Sequence, residues 1–213
     1  MSRQTELAYH FVKEKILNDT FKPSQKLIES ELSELIGVSR NTVKKALLKL
    51  EQENLVKIEN NKGATIKSYT LDEVMNYLEI QEVLEGLVAK MSAISIRDEE
   101  LQKLEQILLQ MEAALKNNKL DEYSDLNKEF HHIIYSASKN AQAVEMINMI
   151  KTQLLRFHFR TILVSGRNEQ SMKEHTRIFE ALKSRDAHLA EEAVKSHIAN
   201  VRETVEKNFS YLI

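Results

Sequence analysis

The chain has 213 residues, 42% of them hydrophobic and 29% charged, with 4 glycines, 1 proline and no cysteine. The absence of cysteine excludes disulfides and thiolate chemistry, and no apolar run approaches the roughly 20 residues needed to span a bilayer. A formal net charge of −2 gives no global pointer to nucleic acid, and so few helix breakers predict a mainly α fold. The first residues, Met1 to Glu6, are polar and lack the apolar core of a signal peptide, so a cytoplasmic location is the expectation.

The charge is unevenly spread. Residues 1–68 hold 12 Lys and Arg against 9 Asp and Glu, and residues 69–213 hold 18 against 23. Arg40, Lys44, Lys45 and Lys49 lie within ten residues that contain no acid. At helical spacing they fall on neighbouring faces. Two readings fit this charge alone, a solvated helix face or a nucleic-acid contact.

In chain order, Gln4 to Asn18 reads as an amphipathic helix with Leu7, Phe11 and Ile16–Leu17 near one face. Lys22-Pro23-Ser24 breaks it. A short helix is expected over Ser30–Ile36, with Gly37 where a helix end needs a left-handed residue. Ser39 is a natural N-cap for a helix over Arg40–Glu53, whose apolar residues Val43, Ala46, Leu47 and Leu50 recur at i, i+3, i+4 and i+7. Two helices across a tight glycine turn form a helix-turn-helix pattern. Leu55–Ile58 and Ala64–Ser68 then read as two strands around the turn residues Glu59 to Gly63. That hairpin would be a wing, and the basic helix before it would be the one that enters the major groove.

The stretch from Glu31 to Leu50, ELSELIGVSRNTVKKALLKL, resembles the DNA-binding domain of the GntR family of bacterial transcription regulators, as does the approach segment FKPSQKL from Phe21 to Leu27. The resemblance covers nearly all of residues 5–68. It implies double-stranded operator DNA as a partner, with Ser39, Arg40 and Lys44 placed to meet bases or phosphates and Thr42 and Lys45 placed for phosphates. It also puts Gly63 at the wing tip, near the minor groove. The family's usual Arg is Lys at position 44, which cannot make the bidentate fork of a guanidinium.

Thr70 and Glu73 form a capping box, so a boundary is expected near residue 69. The expected domains are a winged helix-turn-helix over 1–69 and an all-helical bundle over 70–213. Helices are predicted over 71–94, 98–117, 120–137, 140–163, 170–184 and 186–209, about six in all. Three of the chain's seven histidines fall on apolar stripes. His175 lines up with Ile178, Phe179 and Leu182, and His197 with Ala190, Ala193, Val194 and Val201, while His131 shares a face with Asn127 and Ile134. A single inward histidine is usually a hydrogen-bonded core residue. Three together fit either a structural cluster or a shared divalent metal, for which imidazole suits zinc or nickel.

Residues 75–205 resemble the FCD effector domain of the FadR-like branch of GntR regulators, through Asn127 to His131, Ser138 to Asn140, and His175 through Asp186 to His197. The resemblance implies a metal held by Asn127, His131, His175 and His197. Position 127 departs from the family's usual Asp, and an amide oxygen is a weaker ligand than a carboxylate. His132 is expected to flank the site. In the family the metal helps hold a small-molecule carboxylate effector, and a homodimer carries paired recognition helices. Arg156 and Arg160 could bind such an anion or make surface ion pairs. The alternative is a metal-dependent hydrolase with an accessory DNA-binding domain, since three histidines and an open position permit an activated water. No HExxH, GxSxG or P-loop is present and no base stands out, so no enzyme activity is expected.

Overall fold

The computed structural model describes residues 2–59 and 63–212, and within these the side chains of 155–160 lie outside the description. The chain divides into two compact units, 1–70 and 71–213.

The first unit opens with α1 (Arg3–Leu17), capped by Ser2, whose hydroxyl accepts from the backbone N–H of Thr5. The helix buries Ala8, Tyr9, Val12 and Ile16, whereas Leu7 is 56% exposed. The expected face is therefore rotated. Residues 8, 12 and 16 repeat every four positions and pack on the next long helix, and Tyr9 joins them because its hydroxyl finds a partner. A two-residue strand, β1 (Lys26–Leu27), follows. It is too short to leave a periodic signal, and it is fixed by pairing with a strand that comes later in the chain.

Helix α2 (Glu29–Ile36) ends at Gly37, whose φ of 74° is the left-handed conformation expected there. Helix α3 (Arg40–Gln52) begins at Ser39, which accepts from the N–H of Thr42. Val43, Ala46, Leu47 and Leu50 are buried on one side of α3. Strands β2 (Val56–Glu59) and β3 (Gly63–Ile66) complete an antiparallel sheet of order β1-β3-β2. Gly63 has φ 85°, and a Cβ there would stand 2.7 Å from the carbonyl oxygen of Leu27. Close packing of β1 on β3 thus requires glycine at that point.

The second unit is all-helical among its described residues: α4 (Leu71–Ser95), α5 (Asp98–Lys116), α6 (Leu120–Ser138), α7 (Ala141–Thr161), α8 (Arg167–Lys183) and α9 (Ala187–Leu212). Helix α4 is central and packs against α6, α7, α8 and α9. The hydroxyls of Ser92 and Ser95 on α4 donate to the carbonyls of Ile134 and Ala137 on α6, each at 2.5 Å. These bonds lock the axial position of α6, which carries His131. Phe130, Ile134, Ile147, Ile178 and Leu182 fill the core around it.

The predicted helix ends hold to within about one turn. The largest differences, three residues each, are the start of α8, at Arg167 rather than residue 170, and the end of α9, at Leu212 rather than residue 209. The polar run from Arg167 reads as loop, yet the Arg167 side chain is buried and paired with Glu174 one heptad on, at 3.0 Å.

Candidate DNA-reading surface and metal centre

In the first unit, the N-terminal half of α3 presents Arg40, Asn41, Lys44 and Lys45 to solvent. Their opposite face is the apolar one, so the core fixes which way these cations point. Ser39 and Thr42 are committed locally. Their hydroxyls lie 2.8 Å apart, Ser39 caps the helix, and Thr42 is buried. A phosphate contact by the Thr42 side chain would have to compete with that bond. Lys49 differs from the other cations of α3. It lies 3.4 Å from Glu6 and 3.7 Å above the ring of Tyr9.

The C-terminal end of α3 is pinned to α1 by a polar cluster that sequence reading did not find. Glu53 accepts from the Tyr9 hydroxyl at 2.6 Å and from Lys13 at 2.7 Å. Burial alone would raise the pKa of Glu53, but the bonds from Lys13 and Tyr9 outweigh it and hold the carboxyl below its ordinary value. Gly63 opens β3, directly after residues 60–62, which lie outside the described residues.

In the second unit, His131 on α6, His175 on α8 and His197 on α9 come together. All three are buried, and one nitrogen of each lies within 4.8 Å of the others. Nε2 of His175 is 3.2 Å from Nε2 of His131. The second nitrogen of each ring faces an oxygen. His175 Nδ1 donates to the Ser171 carbonyl at 2.6 Å, His197 Nδ1 donates to Glu174 Oε2 at 2.7 Å, and His131 Nδ1 lies 3.7 Å from Glu85 Oε2. A hydrogen-bonded Nδ1–H leaves the lone pair on Nε2.

Two carboxylates support the cluster. Glu174 accepts from Arg167, from Asn200 at 2.8 Å and from His197. Burial would raise its pKa, but His197, Arg167 and Asn200 bring it down to about 2. Glu85, 1% exposed, accepts from Gln81 at 2.7 Å and lies 3.3 Å from Lys151, which also donates to the Tyr135 hydroxyl. Burial again acts to raise this carboxyl, and Lys151, Gln81 and Tyr135 hold it low. His175 is pushed down to about 3 by burial and by the nearby His197, so it is neutral at physiological pH.

The donor set fits a divalent cation. Lone pairs on facing Nε2 atoms repel unless a proton or a cation lies between them. Three imidazoles are a common ligand set for zinc, and the oxygens that accept from Nδ1 of His175 and His197 are the partners that metal-bound histidines usually have; Glu85 Oε2, 3.7 Å from His131 Nδ1, lies just beyond that distance. Asn127 sits one turn before His131 on α6, and its Oδ1 is buried without a hydrogen-bond partner among the described residues. His132 faces solvent. Arg156 and Arg160 fall in α7 where side chains lie outside the described residues.

Sequence reading missed Glu85, Ser171, Arg167 and Lys151, and set Glu174 aside because it adjoins His175 on one helix, where neighbouring side chains diverge. The signal for Glu85 was present, since Gln81 and Glu85 occupy the buried face of α4 together with Leu78, Val88 and Ser92. Polar residues at core positions ask for partners.

Residues 4–66 match the model of bacterial regulatory proteins of the gntR family, and residues 76–200 match the FCD domain. The HTH-type transcriptional regulator YdhC of Bacillus subtilis is 32% identical over 89% of this chain and 85% of its own length. The HTH-type transcriptional repressor RspR of Escherichia coli is 27% identical over 92% and 86%. The solved structure of McbR/YncC from E. coli covers 100% of this chain and 98% of its own, with a TM-score of 0.71 at 20% identity, which supports the fold. These families and relatives are transcription regulators rather than enzymes, and nothing among them supports the hydrolase alternative. The chain is a member of the GntR family of bacterial transcription regulators, in the group that carries an FCD domain.

Proposed function

We propose that the chain is a ligand-responsive regulator in which a divalent metal, bound by His131, His175 and His197 with Asn127, holds a small carboxylate effector in the helical unit. The observation that carries this reading is the orientation of the three imidazoles. Nδ1 of His175 and of His197 each donates to an oxygen, Nδ1 of His131 lies 3.7 Å from Glu85 Oε2, and the Nε2 atoms of His131 and His175 face one another at 3.2 Å. Without a cation, one of the facing nitrogens must carry a proton. With one, neither does. Zinc or nickel suits this donor set.

Two orphaned polar atoms favour a polar ligand. Asn127 Oδ1 and Arg167 Nη1 are buried with no hydrogen-bond partner among the described residues. Each such atom costs roughly 1–3 kcal/mol. A carboxylate could accept from Arg167, and a metal could take Asn127. Arg156 and Arg160 remain candidates for the same anion by resemblance.

Operator DNA is read by α3, with Arg40 and Lys44 toward the bases and Lys45 on a phosphate. Ser39 and Thr42 set the start of the helix, where backbone N–H groups also favour phosphate, and Gly63 shapes the wing. The second unit, beginning near residue 70, senses the effector and dimerises. The stripe Ile80, Val83, Leu87 and Ile94 on α4, at 52%, 62%, 40% and 70% exposure, has the seven-residue spacing of a helix seam. A second copy of the chain is its occupant. Effector binding changes operator affinity to the extent that it favours one arrangement of the dimer.

Elemental analysis of purified protein tests the metal reading, beside Asn127→Asp and His175→Ala. About one divalent ion per chain, lost in His175→Ala, is expected. Metal-free protein in both the native chain and Asn127→Asp would make the histidines a structural cluster.

A further inference from the structure

The histidine cluster contains two parallel arrangements. His197 is held by Glu174, which is paired with Arg167; His131 faces Glu85, which is paired with Lys151. The first residue of each set is a proposed metal ligand, the second a buried carboxylate and the third its balancing cation. The third proposed ligand, His175, rests on a backbone carbonyl and has no such carboxylate among the described residues. The four proposed ligands, three imidazoles and an amide, carry no negative charge. A divalent ion in a buried site needs anionic compensation, and here the carboxylates stand one atom layer further out.

We propose that Glu85 and Glu174 are positioning residues for the metal, supplying through His131 and His197 the negative charge that Asn127 does not. This rests on the metal reading above. A carboxylate on Nδ1 fixes the tautomer and ring plane and raises the basicity of Nε2. The geometry ranks the two. Glu174 lies at hydrogen-bond distance, 2.7 Å, and is held by Arg167 and Asn200, while Glu85 lies at 3.7 Å. Glu174 is therefore the stronger contributor.

The test is metal affinity of the full chain, stripped with a chelator and titrated with Zn2+ against a chromophoric competitor. Glu174→Gln keeps the shape of the side chain and removes its charge. It is expected to weaken binding by roughly 10–100-fold, with Glu85→Gln weakening it less. Adding Asn127→Asp to Glu174→Gln is expected to recover at least about tenfold. The Co2+-loaded protein gives a second reading, because the visible bands of Co2+ should shift in Glu174→Gln and move again in the double variant. Helical circular dichroism and the thermal midpoint of each apo variant show whether the fold is kept. A Glu174→Gln protein that folds and binds Zn2+ as the native chain does would overturn the proposal. So would a weakened variant that Asn127→Asp does not rescue. Absence of binding in both the native chain and Asn127→Asp would instead refute the metal reading itself.

Discussion

Lys49 lies 3.7 Å above the ring of Tyr9, while Lys45, four residues earlier on the same helix, projects into solvent. The two lysines look equivalent in sequence. In the structure one is spent on holding α1 to α3, through Tyr9 and Glu6, and the other is available to a phosphate. Each phosphate neutralised contributes about −0.9 to the slope of log affinity against log salt. Lys45→Ala is expected to reduce that slope by about 1 per chain, and Lys49→Ala to leave it unchanged. Titrating each variant with random-sequence duplex across a salt series measures both. A slope change with Lys49→Ala and none with Lys45→Ala would reverse the assignment.

Arg40→Ala separates specificity from affinity. At the first turn of α3 its guanidinium can meet guanine O6 and N7 together, which is worth about 1–3 kcal/mol of discrimination. The expected result is loss of operator selectivity with residual salt-dependent binding and unchanged helix content. Selection from a random duplex pool checks it. An unchanged consensus would place base reading elsewhere.

Most of the fold could be read from the sequence because its signals are local. The Gly37 turn, the Ser39 cap and the apolar period of α3 each act within a few residues. The three histidines were readable for the same reason, each lying on its own helical stripe. What was not readable depends on which helix lies next to which. Glu174 adjoins His175, and neighbours on a helix diverge by about 100°, so on one helix they cannot serve the same ion directly. Helix α9 lies on that side, and Glu174 reaches the histidine cluster through His197. Strand β1 was hidden likewise, since its two residues become a strand only by pairing with β3.

Gly63 and Gly37 allow a backbone strain to be told from a contact. Both have positive φ, but a Cβ at Gly37 meets nothing within 4 Å, whereas at Gly63 it meets the Leu27 carbonyl at 2.7 Å. Gly37→Ala is expected to cost about 1 kcal/mol, the left-handed penalty alone. Gly63→Ala should cost clearly more, because β1 must also move off β3. Denaturant unfolding followed by hydrogen exchange in the first unit gives both values. Equal losses would mean the β1 contact is soft.

Glu53 makes the packing of α1 on α3 pH-dependent. Its carboxyl is held below its ordinary value by Lys13 and Tyr9 against the effect of burial. A depressed carboxylate stabilises the fold above its unfolded pKa of about 4.3, and the contribution is lost as pH falls through the lower folded value. Exchange protection of α1 should therefore fall on acidification through and below that range. In Glu53→Gln the fall should be shallower, with protection already reduced at neutral pH by about 1 kcal/mol. An acid response identical to that of the native chain would assign it to other groups.

The exposed stripe of α4 carries the dimer prediction. Val83 and Leu87 lie near its middle, so a charge at either would be buried without a partner in a two-copy seam. Neither contributes to the buried core of its own unit, so Val83→Glu and Leu87→Glu should fold with native helix content. Sedimentation equilibrium is expected to show a dimer for the native chain and a monomer for each variant, with weaker operator binding because paired half-site contact is lost. If the variants remain dimeric, the copies meet through another surface. If they are monomeric and still bind operator at full affinity, dimerisation is not what couples the helical unit to DNA.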